Sequence, residues 1–258
     1  MKEKQKEKVS RLDKFISNNS VFSRSDIRKL IKTQRIEING KLASSTSQII
    51  NEKIDQIFVD GKHVQAIGLI YLMLHKPVGY VCATTDSEHS TVIDLIRAFA
   101  QQHTSEIFQR ILLCDLQIVG RLDIDTTGLV LLTNDGDWNH KITSPHHHCK
   151  KTYFVTLADP ITIHTQAQFM QGVQLEGDKK LTRPAPINIV TPTKVRVTIT
   201  EGRYHQVKRM FAATGNRVVA LHREQIGSIK LCKGLNKGEA RFLTENEVQS
   251  IQKIDHLL

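Results

Sequence analysis

The chain has 258 residues, of which 40% are hydrophobic, so it is long enough to bury one or two domain cores. Lys and Arg together number 36 against 26 Asp and Glu, which gives a formal net charge of +10 and an isoelectric point near 9.5. This excess indicates a polyanionic partner, with nucleic acid ahead of an anionic membrane surface. No segment approaches the ~20 apolar residues of a membrane-spanning helix, so we expect a soluble protein.

The N-terminus and the cysteines together indicate the cytoplasm. Residues 1–8 are charged and contain no apolar segment of the kind that a secretion signal needs, so we expect a charged tail rather than export. The cysteines are far apart and form no Cys-x-x-Cys pair, which favours reduced thiols. They are Cys82, Cys114, Cys149 and Cys232.

The first part of the chain predicts a small unit of helix and hairpin. Residues 23–26 (Ser-Arg-Ser-Asp) have the form of a capping box, and apolar residues follow at helical spacing, so a short helix is expected from about Ser25. Residues 36–42 alternate apolar and polar around an Asn-Gly pair, which is a strong hairpin signal. A further strand is expected within residues 54–59. Residues 11–62 therefore form one predicted unit.

The predicted helix is strongly basic, which by itself is typical of a solvated helix face. However, residues 11–16 (Arg-Leu-Asp-Lys-Phe-Ile), 23–25 (Ser-Arg-Ser) and 38–41 (Ile-Asn-Gly-Lys) resemble the S4 RNA-binding domain. In that family basic helices hold structured RNA by its backbone, so phosphate contacts position the RNA without reading its sequence. The resemblance implies that RNA is bound by Arg24, Arg28, Lys29 and Lys32.

Beyond a predicted linker at residues 63–69, strand-like patterns dominate up to the last residue. Helices are predicted near Thr91 and His205, and a short helix is predicted at Trp138. This pattern favours an α+β fold with a mixed, largely antiparallel sheet in a second domain of residues 70–258. The strands are predicted at residues 71–74, 128–133, 152–157, 194–200 and 217–221.

Residues 120–128 (Gly-Arg-Leu-Asp-Ile-Asp-Thr-Thr-Gly) place carboxylates directly before an apolar strand. A calcium loop would use Asp123, Asp125 and Thr127, but Asn134 stands where a bidentate Glu is needed. A haloacid-dehalogenase-type phosphatase would use Asp123 as nucleophile and Asp125 as acid, but its strand precedes the motif rather than following it. A purely structural turn, with Asp123 paired to a neighbouring cation, is the third alternative.

Several further motifs, in order along the chain, decide among these alternatives. Together with residues 120–136, they closely resemble the RsuA/RluB/RluE/RluF family of pseudouridine synthases. Within that family, residues 121–134 and 201–216 are most similar to the RsuA type, which acts on the small ribosomal subunit. The other motifs are residues 74–80 (Leu-His-Lys-Pro-Val-Gly-Tyr), 151–153 (Lys-Thr-Tyr) and 201–210 (Glu-Gly-Arg-Tyr-His-Gln-Val-Lys-Arg-Met).

The resemblance implies that a uridine in RNA becomes pseudouridine without a metal or an organic cofactor. Asp123 matches the catalytic aspartate, and Tyr153 matches an active-site tyrosine that stacks on the target base. An aspartate shielded from water needs a nearby cation to stay charged. The helix after His205 turns Lys208 and Arg209 away from its apolar face, and the resemblance implies that Lys208 is the basic residue paired with the catalytic aspartate, so we assign the ion pair to Lys208 and keep Arg209 as the alternative.

Each of these residues has a simpler explanation. Lys208 could contact phosphate or solvent, Tyr153 could belong to the core, and Arg121 could pair with Asp123 or Asp125 instead of reaching RNA. Residues 146–149 (His-His-His-Cys) suggest a metal site, but no second ligand cluster has fitting spacing, so we predict a loop near RNA and no metal. The predicted RNA contacts of the second domain are Arg121, Arg203, His205, Gln206 and Arg209.

The resemblance also implies a substrate and an assembly state. The expected partner is small-subunit (16S) rRNA, met as free RNA or as an assembly intermediate, with modification of a single uridine, position 516 in enzymes of the RsuA type. The protein is expected to be a cytoplasmic monomer without membrane contact. Two alternatives stay open: the same chemistry on a 23S rRNA uridine, and a noncatalytic rRNA-binding or assembly factor.

Overall fold

The computed structural model describes residues 9–103, 105, 108 and 110–252. The chain divides into two compact units. The first comprises the chain up to Ile70 together with Ala100–Leu116, and the second comprises Tyr71–Phe99 together with the chain from Gln117 onward.

The first unit carries short strands and two helices. Its helices are α1 (Leu12–Asn18) and α2 (Arg24–Lys32). Its strands are β1 (Val9–Arg11), β2 (Ile36–Ile38), β3 (Lys41–Leu42), β4 (Ile49–Asn51), β5 (Ile57–Val59) and β6 (Lys62–His63). Strand β1 pairs with β4, and the other strands form a sheet in the order β3-β2-β5-β6.

Local sequence explains most of the first unit. The Ser23 hydroxyl accepts from the Asp26 amide while the Asp26 carboxylate accepts from the Ser23 amide, so the predicted capping box starts α2. Asn39 and Gly40 both have positive φ, 52° and 75°, as a tight hairpin turn requires. Apolar side chains of both helices and of β2, β4 and β5 form one buried core. The predicted helix and hairpin are therefore present.

Two segments differ from the predicted domain limits. His63 ends β6 and Val64 is buried in the core of the first unit, so the first two residues of the predicted linker belong to this unit. Residues 110–113 form a 3-10 helix, with Ile111 buried and the Arg110 guanidinium donating to the Ile67 carbonyl. No local sequence signal indicated that Ala100–Leu116 belongs to the first unit.

The second unit is built on a nine-stranded sheet within the described residues. Its strands are β7 (Tyr71–Lys76), β8 (Gln117–Val119), β9 (Thr127–Thr133), β10 (Lys151–Leu157), β11 (Ile187–Thr191), β12 (Lys194–Ile199), β13 (Val218–Ile226), β14 (Ile229–Lys230) and β15 (Ala240–Phe242). Its helices are α3 (Val92–Gln101), α4 (Gly136–Thr143), α5 (Ile163–Gln171), α6 (Gln206–Ala213) and α7 (Glu245–Gln252).

The main path of this sheet is β11-β12-β10-β13-β9-β7-β15, with β14 beside β13 and β8 beside β9. Only the β13–β9 pair is parallel among its strand pairs in the described residues. The predicted mixed, largely antiparallel α+β fold is thereby confirmed. Strand β13 runs five residues beyond Leu221, where the prediction ended because residues 222–225 are all polar and show no apolar strand pattern. Among the described residues, no helix has the length and apolar character needed to cross a membrane.

Candidate active site

Asp123 lies in the loop that joins β8 to β9. Gly120 leaves β8 with φ 76°, and the Thr126 amide donates to the Asp123 carbonyl at 3.1 Å, which closes a turn around the carboxylate. Gly128 has φ 111°, and a Cβ there would lie 2.3 Å from the Arg223 carbonyl oxygen on β13. Only glycine therefore permits the close approach of β9 and β13 that places this loop.

The side chain of Lys76 fixes the backbone of the Asp123 loop. Lys76 ends β7 and is fully buried, and its Nζ donates to the carbonyls of Asp123 (3.1 Å), Ile124 (3.3 Å) and Thr126 (2.8 Å). Burial lowers the pKa of this ammonium, and the nearby charges of Asp123 and Asp125 oppose the shift. A buried cation that binds backbone carbonyls holds the turn in one conformation.

Lys208 and His205 lie next to the Asp123 carboxylate on the side of α6. Lys208 Nζ lies 2.9 Å from Asp123 Oδ2 and 2.6 Å from Asp125 Oδ1, and His205 Nε2 lies 3.4 Å from Asp123 Oδ1. The predicted contact between Lys208 and Asp123 is present, and Asp125 shares the same ammonium. Arg209, the alternative partner, bonds elsewhere. The site therefore couples two carboxylates to one lysine.

The shared ammonium changes the pKa values of its partners. The hydrogen bond from Lys208 is the main reason why the pKa of Asp125 lies below its usual value. Burial alone would lower the pKa of Lys208, but the hydrogen bonds and charges of Asp125 and Asp123 outweigh it and raise that pKa. Lys208 therefore stays protonated at neutral pH, and the cation that faces Asp123 is permanent.

A polar network positions α6 and hence Lys208. Arg203 donates to Asp178 at 2.9 Å and contacts Glu201, and Arg209 also donates to Asp178, at 2.8 Å. Gln206 is buried, and its amide donates to Glu201 at 3.0 Å. Arg203, Gln206 and Arg209, which the sequence suggested as RNA contacts, thus have polar atoms bonded within the protein. Their geometry favours a positioning role, and an RNA contact by any of them stays a prediction.

Acid should weaken this network. Hydrogen bonds from Arg209 and Arg203 lower the pKa of Asp178 in the folded chain below its unfolded value. A lowered pKa contributes stability that is complete above the unfolded pKa of about 3.9 and is lost as the pH falls through the folded value. Asp178→Asn should therefore reduce the loss of stability between about pH 7 and about pH 3 in urea unfolding. Asp159→Asn, which removes an exposed charge, is the matched control, and an equal effect of both variants would contradict this prediction.

Tyr153 on β10 lies opposite Arg223 on β13. The Tyr153 side chain is nearly buried, and the Arg223 guanidinium carbon lies 5.9 Å from its ring centroid, with Nη1 3.5 Å from the phenolic oxygen. Arg223 is fully buried and also donates to the carbonyls of Gly120 (2.8 Å) and Arg121 (3.2 Å). One guanidinium therefore connects the tyrosine to the loop that carries Asp123.

Two other sequence suggestions have a clear position. Arg121 is exposed beside Asp123, and its guanidinium makes no hydrogen bond or ion pair within the part of the chain that the structure describes. The Arg183 guanidinium donates to Nδ1 of His148 at 2.6 Å, in a segment that follows a short 3-10 helix (Pro145–His147). Among the described residues no group of three or more His, Cys, Asp or Glu side chains could hold a metal ion.

Sequence reasoning missed three contributors to this site. Lys76 and Arg223 were not assigned roles, although Lys76 stood in a recognised motif. Asp125 had no role in the predicted pseudouridine synthase site, but it is the second carboxylate on Lys208. The sequence did contain a signal for Lys76 and Arg223, because both stand in predominantly apolar strands and a charged residue is rarely buried without a partner.

The fold and this site define the class of protein. Residues 70–213 match the family described as RNA pseudouridylate synthase, and residues 10–53 match the S4 domain. The chain belongs to this family of RNA pseudouridine synthases. It is 47% identical over 241 residues to the "Ribosomal small subunit pseudouridine synthase A" of Escherichia coli K12, covering 93% of this chain and 99% of that protein.

Further relatives agree with this assignment. The protein of the same name from Yersinia pestis is 46% identical over 241 residues, covering 93% of this chain and 97% of that protein. A solved structure described as a pseudouridylate synthase is 43% identical and has a TM-score of 0.64. The match covers 93% of this chain and 99% of that one.

Proposed function

We propose that this protein converts one uridine of small-subunit rRNA into pseudouridine, with Asp123 as the catalytic carboxylate. The observation that carries the proposal is the Asp123 carboxylate held against Lys208 and His205, in a chain whose relatives bear the name small subunit pseudouridine synthase. The uridine at position 516 is the candidate target. A large-subunit uridine is the alternative that the experiment below distinguishes.

The proposed reaction is an isomerisation in which all atoms balance. The bond from the ribose C1′ to N1 of the base breaks, a bond from C1′ to C5 forms, the proton on C5 leaves, and N1 regains a proton. No atom is gained and none is oxidised, so the reaction consumes no co-substrate. The ionised Asp123 can attack the sugar, add to the base or remove a sugar proton, and each of these roles needs the negative charge that Lys208 supports.

We assign Tyr153 to the target base. Stacking on an aromatic face compensates a flipped base for the neighbours that it loses. The phenolic oxygen, close to the buried guanidinium of Arg223, is the group placed to assist departure of the C5 proton. Arg121, exposed beside Asp123, is proposed to contact the phosphate of the extruded nucleotide.

The direct test uses purified protein and transcripts of the small-subunit and large-subunit rRNA, with pseudouridines mapped by carbodiimide modification and primer extension. We expect one new pseudouridine in the small-subunit RNA and none in the large-subunit RNA. Modification only of the large-subunit RNA would overturn the choice of substrate. Tight binding without modification of either RNA would instead favour a noncatalytic assembly factor.

The basic surface of α2 supports RNA binding by the first unit. Ile27 and Leu30 are buried, which leaves the cationic side chains of α2 on its exposed side. These side chains make no hydrogen bond or ion pair within the described residues, whereas the neighbouring Arg35 is bonded to Asp60 at both oxygens. Their nitrogens are therefore available to phosphates. They belong to Arg24, Arg28, Lys29 and Lys32.

Salt should weaken RNA binding steeply if this surface carries it, because neutralised phosphates release counterions. Combining Arg24→Gln with Arg28→Gln should make the slope of log affinity against log salt less steep by about 1.5. Arg35→Gln removes the same kind of charge, but from a guanidinium that Asp60 already occupies, and should leave the slope nearly unchanged. Filter binding across a salt series measures both, and a flat salt response of the wild-type protein would contradict the proposal.

We also propose that the protein acts as a monomer in the cytoplasm on free rRNA or an early assembly intermediate. The catalytic groups that we assign, Asp123, Tyr153 and Lys208, all come from the second unit of one chain. Light scattering coupled to size exclusion should give a mass near 29.3 kDa. A dimer mass would refute the monomer.

A further inference from the structure

We propose that Tyr204 is a stacking platform for a nucleobase that flanks the target uridine. This inference rests on the proposed function, because it assumes that the bound ligand is RNA. Among the described residues, Tyr204 is the only Phe, Tyr or Trp with an exposed side chain, at 72% of its accessible surface. The residue that follows it, His205, has its Nε2 3.4 Å from Asp123 Oδ1, so this exposed ring adjoins a residue of the proposed active site.

The ring of Tyr204 is held in place. It stacks on the ring of His205 with centroids 3.8 Å apart and an angle of 22° between planes. The Arg209 guanidinium donates to the Tyr204 carbonyl at 3.2 Å. Since His205 covers one face of the ring, the high exposure of Tyr204 leaves the opposite face open. A fixed ring with one open face loses little conformational freedom when it binds a flat ligand.

The backbone of His205 shows that this arrangement is enforced. His205 has φ 46°, in the left-handed region that non-glycine residues rarely adopt, and it precedes α6 without capping it through its side chain. This conformation directs Nε2 to within 3.4 Å of Asp123 Oδ1. The Tyr204–His205 stack is therefore tied directly to the proposed catalytic carboxylate.

The surroundings identify a nucleotide as the ligand. A surface groove next to this stack is lined by His205 and by three cations, Lys208, Arg209 and Arg217, against one carboxylate, that of Asp159. The Arg217 guanidinium makes no hydrogen bond or ion pair within the described part of the chain. The open aromatic face can stack on a base, and the cations beside it can bind the phosphate of the same nucleotide. Stacking of this kind does not depend on which base is present. Because we assign the target base to Tyr153, the base on Tyr204 belongs to a flanking nucleotide.

The experiment compares Tyr204→Leu with Tyr204→Phe on an RNA hairpin containing the target uridine. Tyr204→Leu keeps an apolar side chain without the ring and should raise KM about tenfold, more than it lowers kcat, as expected for the loss of one base stack. Tyr204→Phe keeps the ring and should match the wild type. Equal KM values for all three proteins would overturn the proposal, as would an equal loss in Tyr204→Phe.

Abasic substitutions locate the stacked nucleotide. RNA lacking the base at one position next to the target uridine should bind protein that keeps Tyr204 about tenfold more weakly than intact RNA does, whereas protein with Tyr204→Leu should bind the two RNAs equally. Additive losses at every flanking position would overturn the proposal. These affinities are measured with catalytically inactive Asp123→Asn protein as the background, so they are independent of turnover. A wild-type protein that binds RNA without converting it would therefore refute the proposed function and leave this test intact.

A fluorescence measurement supports the same distinction. The indole introduced by Tyr204→Trp should be quenched more strongly by intact RNA than by RNA abasic at the located position, since only intact RNA places a base against the ring. The single natural tryptophan, Trp138, is buried and provides the background signal in the parent protein. Equal quenching by both RNAs would contradict a stack on that base.

Discussion

Asp123→Asn should abolish pseudouridine formation, lowering the rate by at least about a thousand-fold, while RNA affinity stays nearly unchanged. The amide has the size of the carboxylate but carries no charge and is a poor base and nucleophile. Lys208 keeps Asp125 as a partner at 2.6 Å, so the variant buries no new unpaired cation. Single-turnover assays of RNA conversion, together with binding titrations, measure the two quantities separately.

The matched control for this variant is Asp125→Asn. The Asp125 side chain is 66% exposed and contacts the same lysine, but it is not the residue to which we assign the chemistry. We expect it to retain activity to within about tenfold, because Asp123 keeps both Lys208 and His205. If Asp123→Asn were active and Asp125→Asn inactive, the catalytic role would belong to Asp125.

Lys208→Met should lower activity by at least about a hundred-fold, which is the size of effect seen when one stabilising hydrogen-bond donor is removed from an active site. In the wild type the Asp123 and Asp125 carboxylates both lie within 2.9 Å of the same ammonium. Without it, two neighbouring carboxylates face each other, and like charges disfavour the ionised pair. The methionine fills similar volume, so the loss would reflect charge rather than packing.

Removal of Lys208 should also change the pH at which a neighbouring carboxylate is protonated. Lys208 lowers the pKa of Asp125 by its hydrogen bond, so removing it must raise that pKa. The Asp125 carboxylate, followed by NMR across a pH series, should therefore take up its proton at higher pH in Lys208→Met than in the wild type. Lys208→Arg should restore most of the activity and the original Asp125 titration. Lys194→Met, at an exposed lysine of β12, controls for the general loss of one charge, and an unshifted Asp125 titration in Lys208→Met would contradict the ion-pair account.

Local features of this fold were predictable from sequence. The capping box at Ser23, the Asn39-Gly40 hairpin and the apolar strand after Asp123 each depend on neighbours within a few residues, and each is present. The pairing of Asp123 with Lys208 was also expected, but on the resemblance to a family rather than on the residues alone. Short strands such as β8 and β14 were missed because two or three residues carry too little pattern.

The supports of the site were not predictable, because they join distant parts of the chain. Lys76 reaches the Asp123 carbonyl across 47 residues, and Arg223 reaches the Gly120 carbonyl across 103 residues. Neither residue has a local neighbour that reveals its partner. The same is true of Asp178, which binds Arg203 and Arg209 from a loop with no recognisable motif. Such contacts depend on which strands lie side by side in the sheet, and the spacing of apolar residues along the sequence does not reveal that order.

The most direct test of the proposed function maps pseudouridines in rRNA from cells that carry this gene, lack it, or carry it as Asp123→Asn. We expect a single pseudouridine in the small-subunit rRNA of the first cells, and its absence from the other two, with all large-subunit pseudouridines unchanged. An identical small-subunit pattern in all three cell types would contradict the account.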